Sequence, residues 1–228
     1  MMADYPGRLF VFEGLDGAGK STQIGLLEEA LRGQGYAVDC LAWRSPSAVV
    51  DMDGNERKEA LGNNTAFCLL YAADLAEKCQ DVIVPALLAG HIVLCDRYIY
   101  TAFARDVARG VDRQWVRQVY QYFAVTPDVA FYCQVPLEVA MLRILNRAGR
   151  IGFYTAGMDM KLSKDPMKSF ARFQSRVMAE YDAMVQEFGL VVVDATQDVD
   201  TLQAEIASMV MPLLAGVERM AVSSPGVL

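Results

Sequence analysis

The chain has 228 residues, 54% of them hydrophobic and 21% charged, with a net charge of −7 at pH 7. That length suits one α/β domain with an ample core, and the acidic balance argues against a surface that binds nucleic acid stably. No apolar run approaches the roughly 20 residues of a membrane span, and Met1 to Gly7 lacks the charged and apolar regions of a secretory leader.

The first predicted element is a strand at 8–12, where Leu9, Phe10, Val11 and Phe12 are apolar strand formers. It runs into Gly14-Leu15-Asp16-Gly17-Ala18-Gly19-Lys20-Ser21, which satisfies the phosphate-loop pattern G-x-x-x-x-G-K-[ST] at every fixed position. A helix at 20–32 follows, with Ile24, Leu27 and Leu31 at helical spacing. Strand, glycine loop and helix together make an anion cradle. Backbone N–H groups from Gly14 to Gly19 point at phosphate, Lys20 reaches the β/γ-phosphates, and the Ser21 hydroxyl can ligate Mg²⁺. A plain glycine turn needs no Lys-Ser pair, so the chain is expected to bind a nucleoside triphosphate.

Further strands are predicted at 36–43, 91–95, 128–133 and 190–194. Helices are predicted at 64–89 with a bend near Pro85, then at 98–108, 112–123, 136–147, 167–187 and 198–214. Phe170, Phe173, Val177, Tyr181 and Met184 give the 167–187 helix a core-facing stripe. Two segments break the alternation. Residues 44–63 are polar and read as a loop at the ligand-facing edge, and 148–166 reads as a lid. The tail from about 216 to 228 is expected to fray. The pattern predicts a single three-layer α/β/α domain over 1–228 with a five-stranded parallel sheet.

Five cysteines, at 40, 68, 79, 95 and 133, are odd in number and lack C-x-x-C spacing, which predicts reduced core thiols in a cytoplasmic protein. The single histidine, His91, has no evident partner and reads as structural. Asp96-Arg97-Tyr98 follows the strand at 91–95, at the edge where ligands of open α/β sheets bind. Asp96 can serve Mg²⁺ and Arg97 can grip a second phosphate; the bland alternative is an ion pair closing a turn. Arg143, Arg147 and Arg150, spaced four and three apart, would share one helix face entering the lid and neutralise charge during phosphoryl transfer; the alternative is a solvated basic helix end. With one histidine there is little general-base chemistry on offer. A phosphate acceptor, largely ionised near neutral pH, needs none.

With these residues in place, the chain resembles the thymidylate kinases, a family of P-loop nucleoside monophosphate kinases. The resemblance runs from about Leu9 to Leu214, through F-E-G-L-D-G-A-G-K-S-T at 12–22, W-R-S-P at 43–46, L-L-Y-A-A-D at 69–74, D-R-Y at 96–98 and V-D-A-T at 193–196. It implies transfer of the ATP γ-phosphoryl group to dTMP, with Mg²⁺, in a homodimer. It also implies roles. Asp16 would approach the sugar 3′-hydroxyl, Arg44 and Arg97 would hold the acceptor phosphate, and Tyr71 would stack on the base. Thr101 and Arg105 would line the same site. Lys20, Ser21 and Thr22 would hold the ATP phosphates under Arg147 and Arg150, with Ala195 and Thr196 beside the adenine and Asp96 in the Mg²⁺ network.

Three positions depart from the family's usual pattern. Leu75 stands where an arginine commonly touches the base, Arg105 where an aromatic commonly screens the sugar, and residues 152–159 form an uncharged lid apart from Asp159. These departures keep open a different nucleotide or small phosphorylated acceptor, such as dUMP, and a nucleotide-binding regulator with little catalysis.

Overall fold

A computed structural model describes residues 5–44 and 63–220. Its sheet contains β1 (Arg8–Glu13), β2 (Val38–Ala42), β3 (Ile92–Asp96), β4 (Val129–Gln134) and β5 (Val191–Asp194) in the order β2-β3-β1-β4-β5. All four pairings are parallel. Phe10 sits between Leu94 of β3 and Val129 of β4, so β1 is the central strand. Its unbroken apolar run is what burial on both faces demands. The edge strand β2 alternates in exposure instead.

The helices are α1 (Lys20–Gly33), α2 (Asn64–Lys78), α3 (Val84–Leu88), α4 (Ile99–Ala108), α5 (Arg113–Gln121), α6 (Leu137–Ala148), α7 (Pro166–Phe188) and α8 (Val199–Val210). Side chains of Asn63, Asp112, Asp165 and Asp198 accept the first backbone N–H groups of α2, α5, α7 and α8. The bend expected near Pro85 is a wide turn, Cys79–Ile83, joining α2 to α3. The Val84 N–H reaches five residues back to the Cys79 carbonyl. Proline has no N–H and its ring crowds the carbonyl four residues earlier, so the widened turn relieves the clash. The helix expected to run to 214 leaves α-geometry at Val210 and ends in a tight turn, Met211–Leu214, around Pro212.

Two further expectations are corrected. The described part of the tail is docked, not frayed: Val217 is buried, Met220 N donates to Gly35 O at 2.7 Å and the Arg219 guanidinium covers Tyr36. His91 has a carboxylate partner, since its Nδ1 lies 2.7 Å from Asp39 Oδ2 across β2 and β3. Four of the five free cysteines are buried and Cys40 is exposed. The predicted loop at 44–63 lies outside the described residues except at its ends. Among the described residues no helix is long and apolar enough to cross a membrane.

Candidate active site

The loops after β1, β2 and β3 converge at the carboxyl edge of the sheet, because parallel strands deliver all their exits to one side. The loop after β1 is built by steric exclusion. Gly14, Gly17 and Gly19 have φ of 128°, 84° and 87°. A Cβ on Gly14 would lie 2.6 Å from the Cys133 carbonyl oxygen, and one on Gly17 would lie 2.5 Å from that of Ala140. Gly19 has open space around it, so there only the backbone angle requires glycine. The loop delivers Lys20 to the first position of α1, where its Nζ donates to the carbonyls of Gly14 at 3.2 Å and Leu15 at 2.8 Å. Burial first, and the Arg97 charge second, lower the Lys20 ammonium to about 8, against the pull of Asp96 and Asp16.

Ser21 and Asp96 meet as the spacing argument required. The Ser21 hydroxyl donates to Asp96 Oδ2 at 2.5 Å, so two hard oxygen donors stand together at the start of α1. No group of three or more His, Cys, Asp or Glu that could hold a metal ion exists among the described residues. Two protein oxygens are the donor set Mg²⁺ uses when phosphate and water complete its shell.

Arg97 follows β3 with φ of 76°, in the left-handed region that a non-glycine residue enters only when its surroundings hold it there. Arg97 N donates to Phe12 O at 3.0 Å, and Tyr98 N donates to Glu13 Oε1 at 2.8 Å. This geometry turns the guanidinium inward. Its Nη2 lies 2.5 Å from Asp16 Oδ1, and its Nη1 donates to Thr101 Oγ1 at 3.1 Å. Arg105 Nη2 reaches the other Asp16 oxygen at 3.0 Å. Burial alone would raise the Asp16 carboxyl, but Arg97, Arg105 and Lys20 hold it well below the usual carboxylate range. Arg105 is pushed down, by burial and by Arg97 and Arg109, even with Asp16 beside it. One carboxylate shared by two guanidinium groups leaves a net positive charge, which suits a phosphate.

Two cavities open here. One, of about 430 Å³, is lined by Gly17, Gly19, Lys20, Ser21, Thr22, Asp96, Arg143 and Arg147 together with Asp16, Trp43, Arg44 and Arg97. The other, of about 340 Å³, shares those last four residues and adds Phe67, Tyr71, Thr101, Ala102, Arg105, Asp106, Arg109 and residues 152–155. Asp16, Trp43, Arg44 and Arg97 therefore form the septum between a phosphate cradle and a chamber with an aromatic wall. Trp43 is fixed by its Nε1, which donates to Asp74 Oδ2 at 2.9 Å, and it meets Tyr71 edge-on at 5.7 Å between ring centroids. A third hollow holds Ala18, Gly19, Thr22, Gln23, Arg143 and Ala195.

Most sequence-predicted residues are thus brought together. Arg150 is not. The helix α6 ends at Ala148 and Gly149 turns left-handed, so Arg150 leaves the helical face and is exposed, lining neither main cavity. Arg143 lines the cradle beside Arg147, and its Nη1 donates to Ala195 O at 2.9 Å. The Thr196 hydroxyl turns back onto Asp194 at 2.6 Å, so Ala195 and not Thr196 borders the third hollow. The 148–166 segment lies against the second cavity. Gly152–Thr155 line the second cavity, and the segment is pinned by Gln174 Nε2 donating to Thr155 O at 2.6 Å and by Arg109 with Asp159 at 2.8 Å.

Two functional residues escaped the sequence reading. Glu13 is fully buried, and burial raises its carboxyl. Its Oε2 accepts from Thr101 Oγ1 at 2.6 Å and from Tyr181 OH at 2.9 Å, which fixes the hydroxyl under Arg97. A glutamate closing an apolar strand immediately before the first loop glycine was the available signal. Asp106 is the second: it lines the second cavity beside Arg105 and lies outside any motif.

Residues 12–206 match the family model described as Thymidylate kinase. The "Probable thymidylate kinase 2" of Saccharolobus solfataricus is 35% identical over 204 residues, covering 88% of this chain and 93% of that protein. The "Thymidylate kinase" of Geobacillus thermodenitrificans is 31% identical over 229 residues, covering 93% of each. The "Thymidylate kinase" of Desulfotalea psychrophila is 38% identical over 158 residues, covering 65% of this chain and 73% of that one.

Proposed function

This chain belongs to the thymidylate kinase family, and from that premise we propose that it transfers the γ-phosphoryl group of ATP to dTMP, giving ADP and dTDP. The observation that carries the reading is the septum: Asp16, Trp43, Arg44 and Arg97 line both the phosphate cradle and the aromatic chamber. A donor phosphate in the cradle and an acceptor phosphate in the chamber then meet at one guanidinium. Phosphoryl transfer through a loose transition state gains chiefly from such alignment and charge neutralisation.

In this reading the loop N–H groups and Lys20 hold the donor phosphates, leaving the two carbonyls that Lys20 now engages. Arg143 and Arg147 cover the cradle, and Arg143 ties it to the donor-base hollow at Ala195. Arg97 and Arg44 hold the acceptor phosphate, Tyr71 offers its ring to the base, and Asp16 faces the sugar. Ser21 and Asp96 would hold Mg²⁺, which would supply positive charge to neutralise what develops on the phosphates. The acceptor oxygen is already anionic, so no side chain has to remove a proton. The protein acts as a single kinase domain, cytoplasmic and homodimeric; a light-scattering mass at the 25.1 kDa of one chain would contradict the dimer.

The test is a panel of dTMP, dUMP, dCMP and UMP assayed with ATP, with and without a chelator. The expected result is preferred turnover of dTMP that stops when the chelator removes divalent ions. Robust turnover of another acceptor with dTMP inert rejects the assignment.

A further inference from the structure

One polar atom in the acceptor chamber is left over. Asp106, on α4, lines the chamber and is 2% exposed, yet its Oδ2 has no hydrogen-bond partner. The Cys68 thiol, on α2, lies beside the same carboxyl group. A buried carboxylate oxygen without a donor is costly, and its persistence needs a reason.

Several of the chamber's other polar groups are already engaged. The Thr101 hydroxyl serves Glu13 and Arg97, and Asp16 serves Arg97 and Arg105. Arg109 is paired with Asp159 and covers the rings of Phe67 and Phe173. Leu75 is wholly buried in the core and brings no polar atom to a base. A flat ring entering beside Tyr71 and Phe67 therefore finds a vacant acceptor in Asp106 Oδ2.

Resting on the dTMP reading, we propose that Asp106 reads the acceptor's base, with Oδ2 accepting the ring N3–H of a pyrimidine stacked on Tyr71. Thymine and uracil carry that hydrogen, and cytosine has a bare nitrogen there. The two oxygens flanking N3 call for donors, and Arg105 on α4 and Arg109 at its C-terminal end carry guanidinium N–H groups beyond those that pair with Asp16 and Asp159.

The test is calorimetric titration of the full chain with dTMP and with N3-methyl-dTMP, using the wild type, Asp106→Ala and the near-isosteric Asp106→Asn. A hydrogen bond to a charged group predicts that the wild type binds the methylated ligand about thirtyfold more weakly than dTMP. Asp106→Ala should bind both ligands within about threefold of each other, and dTMP more weakly than the wild type does. Asp106→Asn should fall between them, and ADP affinity should be unchanged throughout. Equal affinity of the wild type for both ligands overturns the proposal. So does an equal loss for both ligands in Asp106→Ala, which marks a merely structural role. Turnover is read separately: a wild type that binds dTMP through Asp106 without phosphorylating it contradicts the kinase reading and leaves the base assignment standing.

Discussion

Two aspartates line one chamber and titrate in opposite directions. Asp16 is half-buried with three cations around it, and it stays ionised far below its ordinary range. Asp106 is buried with Cys68 from α2 beside it, Arg105 on its own helix, Arg109 at that helix's end and Tyr120 on α5 facing it; burial outweighs these and raises it to about 6. The linkage signs follow. Asp16 contributes stability that is present above its unfolded value of 3.8 and is lost only in strong acid. Asp106 costs stability while ionised, and that cost is relieved as pH falls from about 6 towards 3.8. Asp106→Asn should therefore raise the melting temperature at pH 8 by a few degrees, with the gain shrinking towards pH 5, as thermal melts across that range would report. An equal gain at both pH values would contradict the assignment of a buried ionised carboxylate.

At the scale of elements, the fold was legible and the active-site walls were less so. Among the described residues the five strands and helices α1, α2 and α4 to α8 were announced by their apolar runs and periods, and strands buried on both faces read as continuous runs such as Leu9 to Phe12. The glycine loop and D-R-Y were legible because their chemistry demands fixed types at fixed spacing. The 148–166 segment was not. Its packing depends on Arg109 at the end of α4 and on Phe173 and Gln174 of α7, and no period within the segment encodes such contacts. Arg150 was misplaced for a related reason: spacing suggested a shared face, but Gly149 had already ended the helix. The docking of this segment is tight at Gly157, which has φ of 62° and whose Cβ, if present, would lie 2.5 Å from Phe173 Cβ. Gly157→Ala should cost about 1–3 kcal/mol by overpacking and left-handed strain. It should also raise the KM for dTMP more than that for ATP, since the segment walls the acceptor chamber; equal effects on both would contradict that placement.

Across the whole molecule, parallel topology gathers the exits of β1, β2 and β3 at one edge, and function follows from what those exits share. The cradle supplies backbone donors and Lys20, the chamber supplies rings and Asp106, and Arg97 belongs to both. The strained backbone that aims Arg97 is supported from β1 by Glu13 and Phe12, so the core and the reaction centre are mechanically one unit. The most direct test follows the phosphorus atoms by NMR during incubation of the protein with ATP, Mg²⁺ and dTMP. ADP and dTDP should accumulate in equal amounts without orthophosphate, because the γ-phosphoryl group passes across the septum to a phosphate and not to water. Orthophosphate release without dTDP, or unchanged ATP in the presence of folded protein, would contradict the account.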